Sequence, residues 1–244
     1  MAWPKVVLFG DSITQFSFEE GGWGASLANT LQRKCDVVMR GFSGYNTRWA
    51  KLILERCVPK EMLSEVVMAT VFLGANDAGL KESSVQFVPL EDYRENLKSP
   101  VTDQCVFFWN QAIVKYFQEG GLKPSQIILI TPPPTDDLAW DFACREKYGS
   151  PGNRLNANTG KYADVCSSVA QEAKTGLLDL WKLMQEDKSW KRFLSDGLHF
   201  SVEGSKFVSK HLNQMVLAGT EHLPMILPDW KDIDVSCPEK SLYK

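Results

Sequence analysis

Three side chains in this 244-residue sequence are of the types that acyl transfer needs: Ser12, His199 and, three positions before the histidine, Asp196. A serine hydroxyl is a weak nucleophile until a neighbouring base takes its proton. An imidazole serves as that base when a carboxylate holds its second nitrogen and stabilises the imidazolium. Asp196 and His199 share one short loop, which puts the carboxylate within reach of the ring. A tetrahedral intermediate also needs donors for its oxyanion. The Ser12 backbone N–H, the Gly44 backbone N–H and the Asn76 side-chain amide are the candidates, and Gly44 has no Cβ to keep substrate away from its backbone. Losing one such donor costs about a hundred- to thousand-fold in rate. Taken singly, each group has a plainer role as a turn or helix-cap residue, with Ser201 as a cap after the Asp196 loop. Acting as one site therefore depends on the elements that would bring them together.

Lys5–Val6–Val7–Leu8–Phe9 is a short apolar run that stops at Gly10–Asp11–Ser12. Such a run reads as a strand buried on both faces, in the middle of a parallel sheet. Its end would hold the Ser12 hydroxyl facing out at the sheet rim. Asp36–Arg40 is a second strand ending in Gly41–Phe42–Ser43–Gly44, and Ala69–Leu73 is a third ending in Gly74–Ala75–Asn76–Asp77. Helical spacing covers Ala25–Arg33, through Leu27, Ala28 and Leu31. It resumes from about Thr47, taken as a cap, with Ala50, Ile53 and Leu54 facing inwards. Three repeats of strand, glycine turn and helix mean parallel βα units. If the three strands are neighbours, right-handed crossovers place Ser12, Gly44 and Asn76 at one sheet edge, where ligands bind in open α/β folds.

The rest of the chain is less regular. Leu90–Lys98 reads as a helix interrupted at Ser99–Pro100, because the residue before a proline avoids helical angles. Val106–Phe117 resumes the helical pattern. Ile127–Ile130 is a fourth strand, Asp136–Lys147 a short helix in a loop region, Leu155–Ala173 a longer helix, and Leu177–Leu180 a fifth strand. The Ser195–Phe200 loop precedes a final helix over Val202–Leu217, and a tail from Leu223 packs on the surface. His211 falls on that helix and His222 in the loop after it, both as surface or packing residues. Asp11 and Asp77 are read as braces for their loops. Ser43 lacks the Gly-x-Ser-x-Gly elbow of another serine hydrolase class and is read as structural. The expectation is one domain over residues 1–244, with a core of about 5–217, an insertion at 99–111 and a tail at 223–244.

Bulk properties narrow the classes. Apolar residues make up 44% and charged residues 23%, the balance of an ordinary globular protein. A net charge of −3 gives no electrostatic case for nucleic acid or an anionic membrane. The six cysteines, Cys35, Cys57, Cys105, Cys144, Cys166 and Cys237, have long irregular spacings and no Cys-x-x-Cys pair, which argues against zinc. No metal or other cofactor is expected. The sequence has no Asn-x-Ser/Thr sequon, no leader pattern before the first strand and no bilayer-length apolar run. A reduced, cytoplasmic protein without stable membrane insertion is the expectation; its oligomeric state is not readable from the sequence.

Phe-Gly-Asp-Ser-Ile-Thr, Gly-Phe-Ser-Gly, Gly-Ala-Asn-Asp and Asp-Gly-Leu-His stand in the order and spacing of the four blocks of the SGNH (GDSL-type) hydrolase family, which the chain resembles from about Val6 to Leu217. The resemblance implies a flavodoxin-like three-layer α/β/α sandwich on a parallel sheet of about five strands. It implies a catalytic set at Ser12, Asp196 and His199, and an oxyanion hole from Ser12, Gly44 and Asn76. Longer stretches, Leu8–Phe18, Arg40–Lys51 and Ile128–Pro134, resemble the branch of isoamyl acetate-hydrolysing esterase homologues. That branch implies metal-free hydrolysis of short-chain acyl esters, with a small-molecule ester as substrate. Residues 99–111 look inserted into what the branch would make a continuous helix from Tyr93 to Phe117, and Thr135–Asn153, where the family often lines its substrate pocket, matches poorly.

Three other functions compete with this reading. A phosphotransferase built on Asp11 would want a second carboxylate two residues on to hold magnesium, where Ile13 stands. A non-catalytic binding protein could retain the fold, since fold alone does not fix function. A lipase or thioesterase of the same family would take longer acyl chains.

Overall fold

A computed structural model describes residues 3–98 and 112–243. Five parallel strands form one sheet: β1 (Lys5–Gly10), β2 (Asp36–Gly41), β3 (Val66–Phe72), β4 (Ile127–Ile130) and β5 (Gly176–Leu178). Their order is β2-β1-β3-β4-β5. This is the doubly wound flavodoxin-like order, with the switch point between β1 and β3.

β1 shows why these residues form a central strand. Val6, Val7, Leu8 and Phe9 are all fully buried. Val7 and Phe9 point to one face, where they join side chains from helices Thr47–Cys57, Leu90–Lys98, Ile113–Glu119 and Asn156–Ala173. Val6 and Leu8 point to the other, against helices Trp23–Thr30, Leu180–Gln185 and Val202–Thr220. Period-two alternation, with apolar residues on both faces, thus produces three layers. Each large side chain so buried contributes about 1.5–3 kcal/mol.

Several element boundaries differ from the sequence expectation, each for a local reason. Asn46, not Thr47, caps the Thr47–Cys57 helix, accepting from the Trp49 N–H at 2.9 Å. The expected helix over Ala25–Arg33 spans Trp23–Thr30: the Trp23 indole donates to the Ile13 carbonyl at 3.1 Å, and Arg33 has left the helix with φ +61°. β3 starts three residues early, because Val66 pairs with Lys5. β5 stops at Leu178 because Asp179 caps a helix that the sequence did not announce, Leu180–Gln185. The short helix expected over Asp136–Lys147 is a twelve-residue helix, Asp137–Tyr148, closed by Gly149 at φ +65°.

Leu90–Lys98 is a helix as expected, and Ser201 caps the final helix, accepting from the Gly204 N–H at 3.1 Å. That helix runs to Thr220, three residues past the expected end. Of the helical pattern expected over Val106–Phe117, residues 106–111 lie outside the described residues, and the described part forms the helix Ile113–Glu119. The expected insertion, residues 99–111, lies outside the described residues. The tail lies on the surface, where the Arg33 guanidinium donates to the carbonyls of Leu227 at 2.7 Å and Pro228 at 2.8 Å. Among the described residues, no helix is long and apolar enough to cross a membrane.

Candidate active site

The sheet register sets the site. Gly10, at the end of β1, pairs with Gly41 of β2 and Phe72 of β3. Ser12, Gly44 and Asn76 follow these partners by two, three and four residues, so all three sit at the same carboxyl edge. The strands approach so closely here that a β-carbon on Gly10 would lie 2.5 Å from the Phe72 carbonyl oxygen. Asp11 caps the short helix Ser12–Gln15, accepting from the Ile13 N–H at 3.0 Å. That helix carries Ser12 in its first turn. Ser12 as a whole is 6% exposed.

The Ser12 hydroxyl stands 2.9 Å from His199 Nε2, across 187 positions of sequence. On the far side of the ring, His199 Nδ1 is 2.7 Å from Asp196 Oδ2. The other Asp196 oxygen accepts the N–H groups of Leu198 at 2.9 Å and His199 at 2.8 Å. The loop is thus wound around its own carboxylate. Burial pushes the Asp196 carboxyl up, but hydrogen bonding and charge from His199 and the two backbone N–H groups outweigh it, leaving the carboxyl below its ordinary value. An ionised Asp196 that accepts Nδ1–H leaves Nε2 free to accept the Ser12 proton. The loop is tied to its surroundings by Asp136 N–H to the Gly197 carbonyl at 2.9 Å and closed on itself by Ser195 N–H to the His199 carbonyl at 2.8 Å. The edges of Phe16 and Trp140, with ring centroids at 5.8 and 6.2 Å, flank the imidazole.

The other two candidate donors, Gly44 and Asn76, lie at the same sheet edge. Gly44 adopts φ +81°, a conformation that side chains resist. Asn76 Nδ2 donates one hydrogen to the Tyr45 carbonyl at 2.9 Å, which leaves its second hydrogen for a ligand. Asn76 Oδ1 accepts from Arg154 Nη2 at 3.0 Å, and the same nitrogen donates to Gln86 Oε1 at 2.8 Å. Gln86 Nε2 donates in turn to the Gly44 carbonyl at 2.8 Å. Arg154 and Gln86 escaped sequence reading: both lie in polar loops without periodicity, and the burial of an arginine leaves no trace in its neighbours' types.

Asp11 and Asp77 brace their loops, as the sequence suggested. Asp77 accepts the Thr47 N–H at 3.0 and 3.1 Å to its two oxygens, and also the Thr47 hydroxyl. Burial pushes the Asp11 carboxyl up to about 7 and that of Asp77 up to about 6. Ser43 is exposed, and its N–H is held by Gln15 Oε1 at 2.8 Å. His211 packs against Phe207, with ring centroids 4.7 Å apart, and His222 is exposed. Among the described residues, no cluster of three or more His, Cys, Asp or Glu side chains could hold a metal ion.

A cavity of about 380 Å³ abuts His199 and Asp196. Phe16, Trp23, Trp140, Tyr148 and Val202 line it, with Glu19, Glu20 and Lys147 also on its walls. Ser12, Gly44 and Asn76 do not border it; it lies against the His199 ring and Asp196.

Comparison with known proteins agrees with this architecture. The family model described as GDSL-like Lipase/Acylhydrolase matches residues 6–212. The isoamyl acetate-hydrolyzing esterase 1 homolog of Homo sapiens is 47% identical over 99% of this chain and 93% of its own length. The isoamyl acetate-hydrolyzing esterase of Saccharomyces cerevisiae is 33% identical over 96% of each chain. The crystal structure of a lipase/acylhydrolase from Enterococcus faecalis superposes with a TM-score of 0.67 at 23% identity, over 91% of this chain and 98% of that one, and shares the fold. The family match from β1 into the final helix, together with the full-length identity to these relatives, shows that the chain belongs to the GDSL-like lipase/acylhydrolase family and is a carboxylic ester hydrolase.

Proposed function

We propose that this chain is a serine esterase that hydrolyses short-chain, acetate-type esters through an acyl-Ser12 intermediate. The observation that carries the proposal is the unbroken hydrogen-bonded file from Ser12 Oγ through the His199 ring to Asp196. In the first half-reaction Ser12 Oγ attacks the ester carbonyl while His199 Nε2 takes its proton. The oxyanion develops towards the N–H groups of Ser12 and Gly44 and the spare hydrogen of Asn76. Collapse breaks the bond to the alcohol oxygen, which takes the proton from His199. Water then attacks the acyl-Ser12 carbonyl, with His199 acting again as base, and the acid leaves.

The cavity suggests which half of the ester goes where. The leaving oxygen must stand at His199 Nε2 to be protonated, so the alcohol projects to the imidazole side. The cavity walled by Phe16, Trp140 and Tyr148 lies on that side and is large enough for a branched alcohol of several carbons. This agrees with the two relatives named for isoamyl acetate, an ester of a small acid and a larger apolar alcohol. We place the protein in the cytoplasm, a reading supported by five described cysteines that are all free thiols.

The test is Ser12→Ala against p-nitrophenyl acetate, with labelling by a fluorophosphonate probe. Turnover should fall at least about a thousand-fold, and the label should attach to Ser12. Retained turnover, or labelling of Ser43 in its place, would refute the assignment.

A further inference from the structure

Arg154 is 3% exposed, and each of its hydrogen bonds goes to a neutral amide oxygen: Asn153 at 2.6 Å, Asn76 at 3.0 Å and Gln86 at 2.8 Å. Among the described residues it forms no ion pair. Asp11 and Asp77 offset the burial of this cation by charge, without a hydrogen bond to it; its hydrogen bonds are all to neutral amides, whose dipoles it can orient. Two features of its surroundings point to the oxyanion hole.

The first is orientation. A side-chain amide can present either its NH2 or its oxygen to a ligand, and only the NH2 stabilises an oxyanion. Arg154 Nη2 can only donate, so Asn76 Oδ1 must face it and Asn76 Nδ2 must face away, towards the Tyr45 carbonyl and the open site. The same Nη2 also fixes Gln86, because Gln86 Oε1 must face the guanidinium and its Nε2 then donates to the Gly44 carbonyl. One guanidinium nitrogen therefore governs Asn76 directly and Gly44 through one intermediary. Gln86 is itself held, its carbonyl accepting from Asn46 Nδ2 at 2.9 Å.

The second is rigidity and charge. A β-carbon on Gly79 would come within 3.2 Å of Arg154 Nη1, and the Trp140 ring centroid lies 5.9 Å from the guanidinium carbon. The group is packed on both sides. Burial lowers Arg154 only to about 10, so it remains a cation at neutral pH. A fixed positive charge one hydrogen bond behind an amide donor strengthens that donor as negative charge develops, without needing to move during the reaction.

We propose that Arg154, relayed by Gln86, is the positioning residue of the oxyanion hole: it sets the donor orientation of Asn76, pins Gly44, and places a cation behind the oxyanion. The inference rests on the assignment of Gly44 and Asn76 as oxyanion donors. It differs from a role in merely anchoring residues 149–155, because help given to a developing oxyanion appears in kcat and not in substrate affinity.

The experiment compares Arg154→Met, Gln86→Met and Asn76→Ala with the unaltered protein on p-nitrophenyl acetate, with thermal melting to verify folding. Arg154→Met should lower kcat about 10- to 100-fold with KM within about threefold, and guanidinium ion in the millimolar range should restore part of the loss. Gln86→Met, which removes no buried charge, should lower kcat by about tenfold at unchanged KM. A folded Arg154→Met with undiminished kcat overturns the proposal, as does a loss that appears in KM and resists guanidinium. If Arg154→Met does not fold, Gln86→Met decides, and an unchanged kcat there overturns it. Full activity in Asn76→Ala would sink the oxyanion assignment itself. Loss in Asn76→Ala with none in the other two variants would sink this inference alone.

Discussion

Gly197 passes so close to Trp140 that a β-carbon on it would lie 2.4 Å from the Trp140 backbone nitrogen and 2.7 Å from the Asp136 carbonyl oxygen. Its φ of +91° is also one that side chains avoid. Gly197 is therefore the point at which the loop carrying Asp196 and His199 is set against the Asp137–Tyr148 helix. Gly197→Ala should push the loop outward and separate His199 from Ser12. The expected result is a loss of at least about tenfold in kcat/KM, with a strain cost of about 1–3 kcal/mol. Kinetics on p-nitrophenyl acetate and a urea titration check both parts.

Asp196→Asn keeps the shape of the side chain but removes the charge that stabilises an imidazolium, and it allows the wrong ring tautomer. A fall in kcat of about 10³–10⁴ is expected. The melting temperature should change little, because an amide oxygen can still accept the Leu198 and His199 N–H groups. A kcat within tenfold of the unaltered protein would show that the carboxylate does not serve the imidazole.

Two buried carboxyls give stability an unusual pH dependence. Asp11 and Asp77 are pushed up to about 7 and about 6 by burial, from the 3.8 of an unperturbed aspartate. Between these values the folded protein holds more protons than the unfolded chain, so stability is full below pH 4 for these groups and declines as pH rises through about 6 to 7. The exposed Glu172 and Asp187, held down to about 2 by hydrogen bonds from neighbouring cations, act only at lower pH. Urea midpoints should therefore fall from pH 5 to pH 8. Asp11→Asn, whose amide oxygen still accepts from Ile13, should flatten the slope; an identical slope would refute the role given to Asp11.

Ala143 lines the cavity beside His199, on the helix that carries Trp140. Ala143→Phe should fill part of the space intended for the alcohol. KM for an acetate ester of a five-carbon alcohol should rise about tenfold, while ethyl acetate turnover stays near its original value. Equal effects on both esters would remove the alcohol from this cavity.

The groups proposed for catalysis were legible in the sequence because each is tied to a local signal. Ser12, Gly44 and Asn76 each follow a strand that breaks at glycine, and Asp196 and His199 are close in sequence. That the first three strands are neighbours was a supposition from their repeated βα units, and the sheet has them side by side. What escaped were features decided by contacts between distant segments. Asn46 displaced Thr47 as the helix cap because Thr47 is claimed by Asp77. The Leu180–Gln185 helix was hidden because Asp179 reads equally well as the continuation of a strand. Arg154 sits in a Gly-, Ser- and Pro-containing loop that looks solvated, and its burial depends on Trp140, Gln86 and Asn76, each supplied by another part of the chain.

The 187-residue gap between Ser12 and His199 has a consequence for biosynthesis. The proposed nucleophile is synthesised before β2 and its proposed base only after β5, so a nascent chain carries an unactivated serine until all five strands have been made. Hydrolytic competence therefore follows completion of the sheet, and a chain cut short before His199 lacks the base that Ser12 needs.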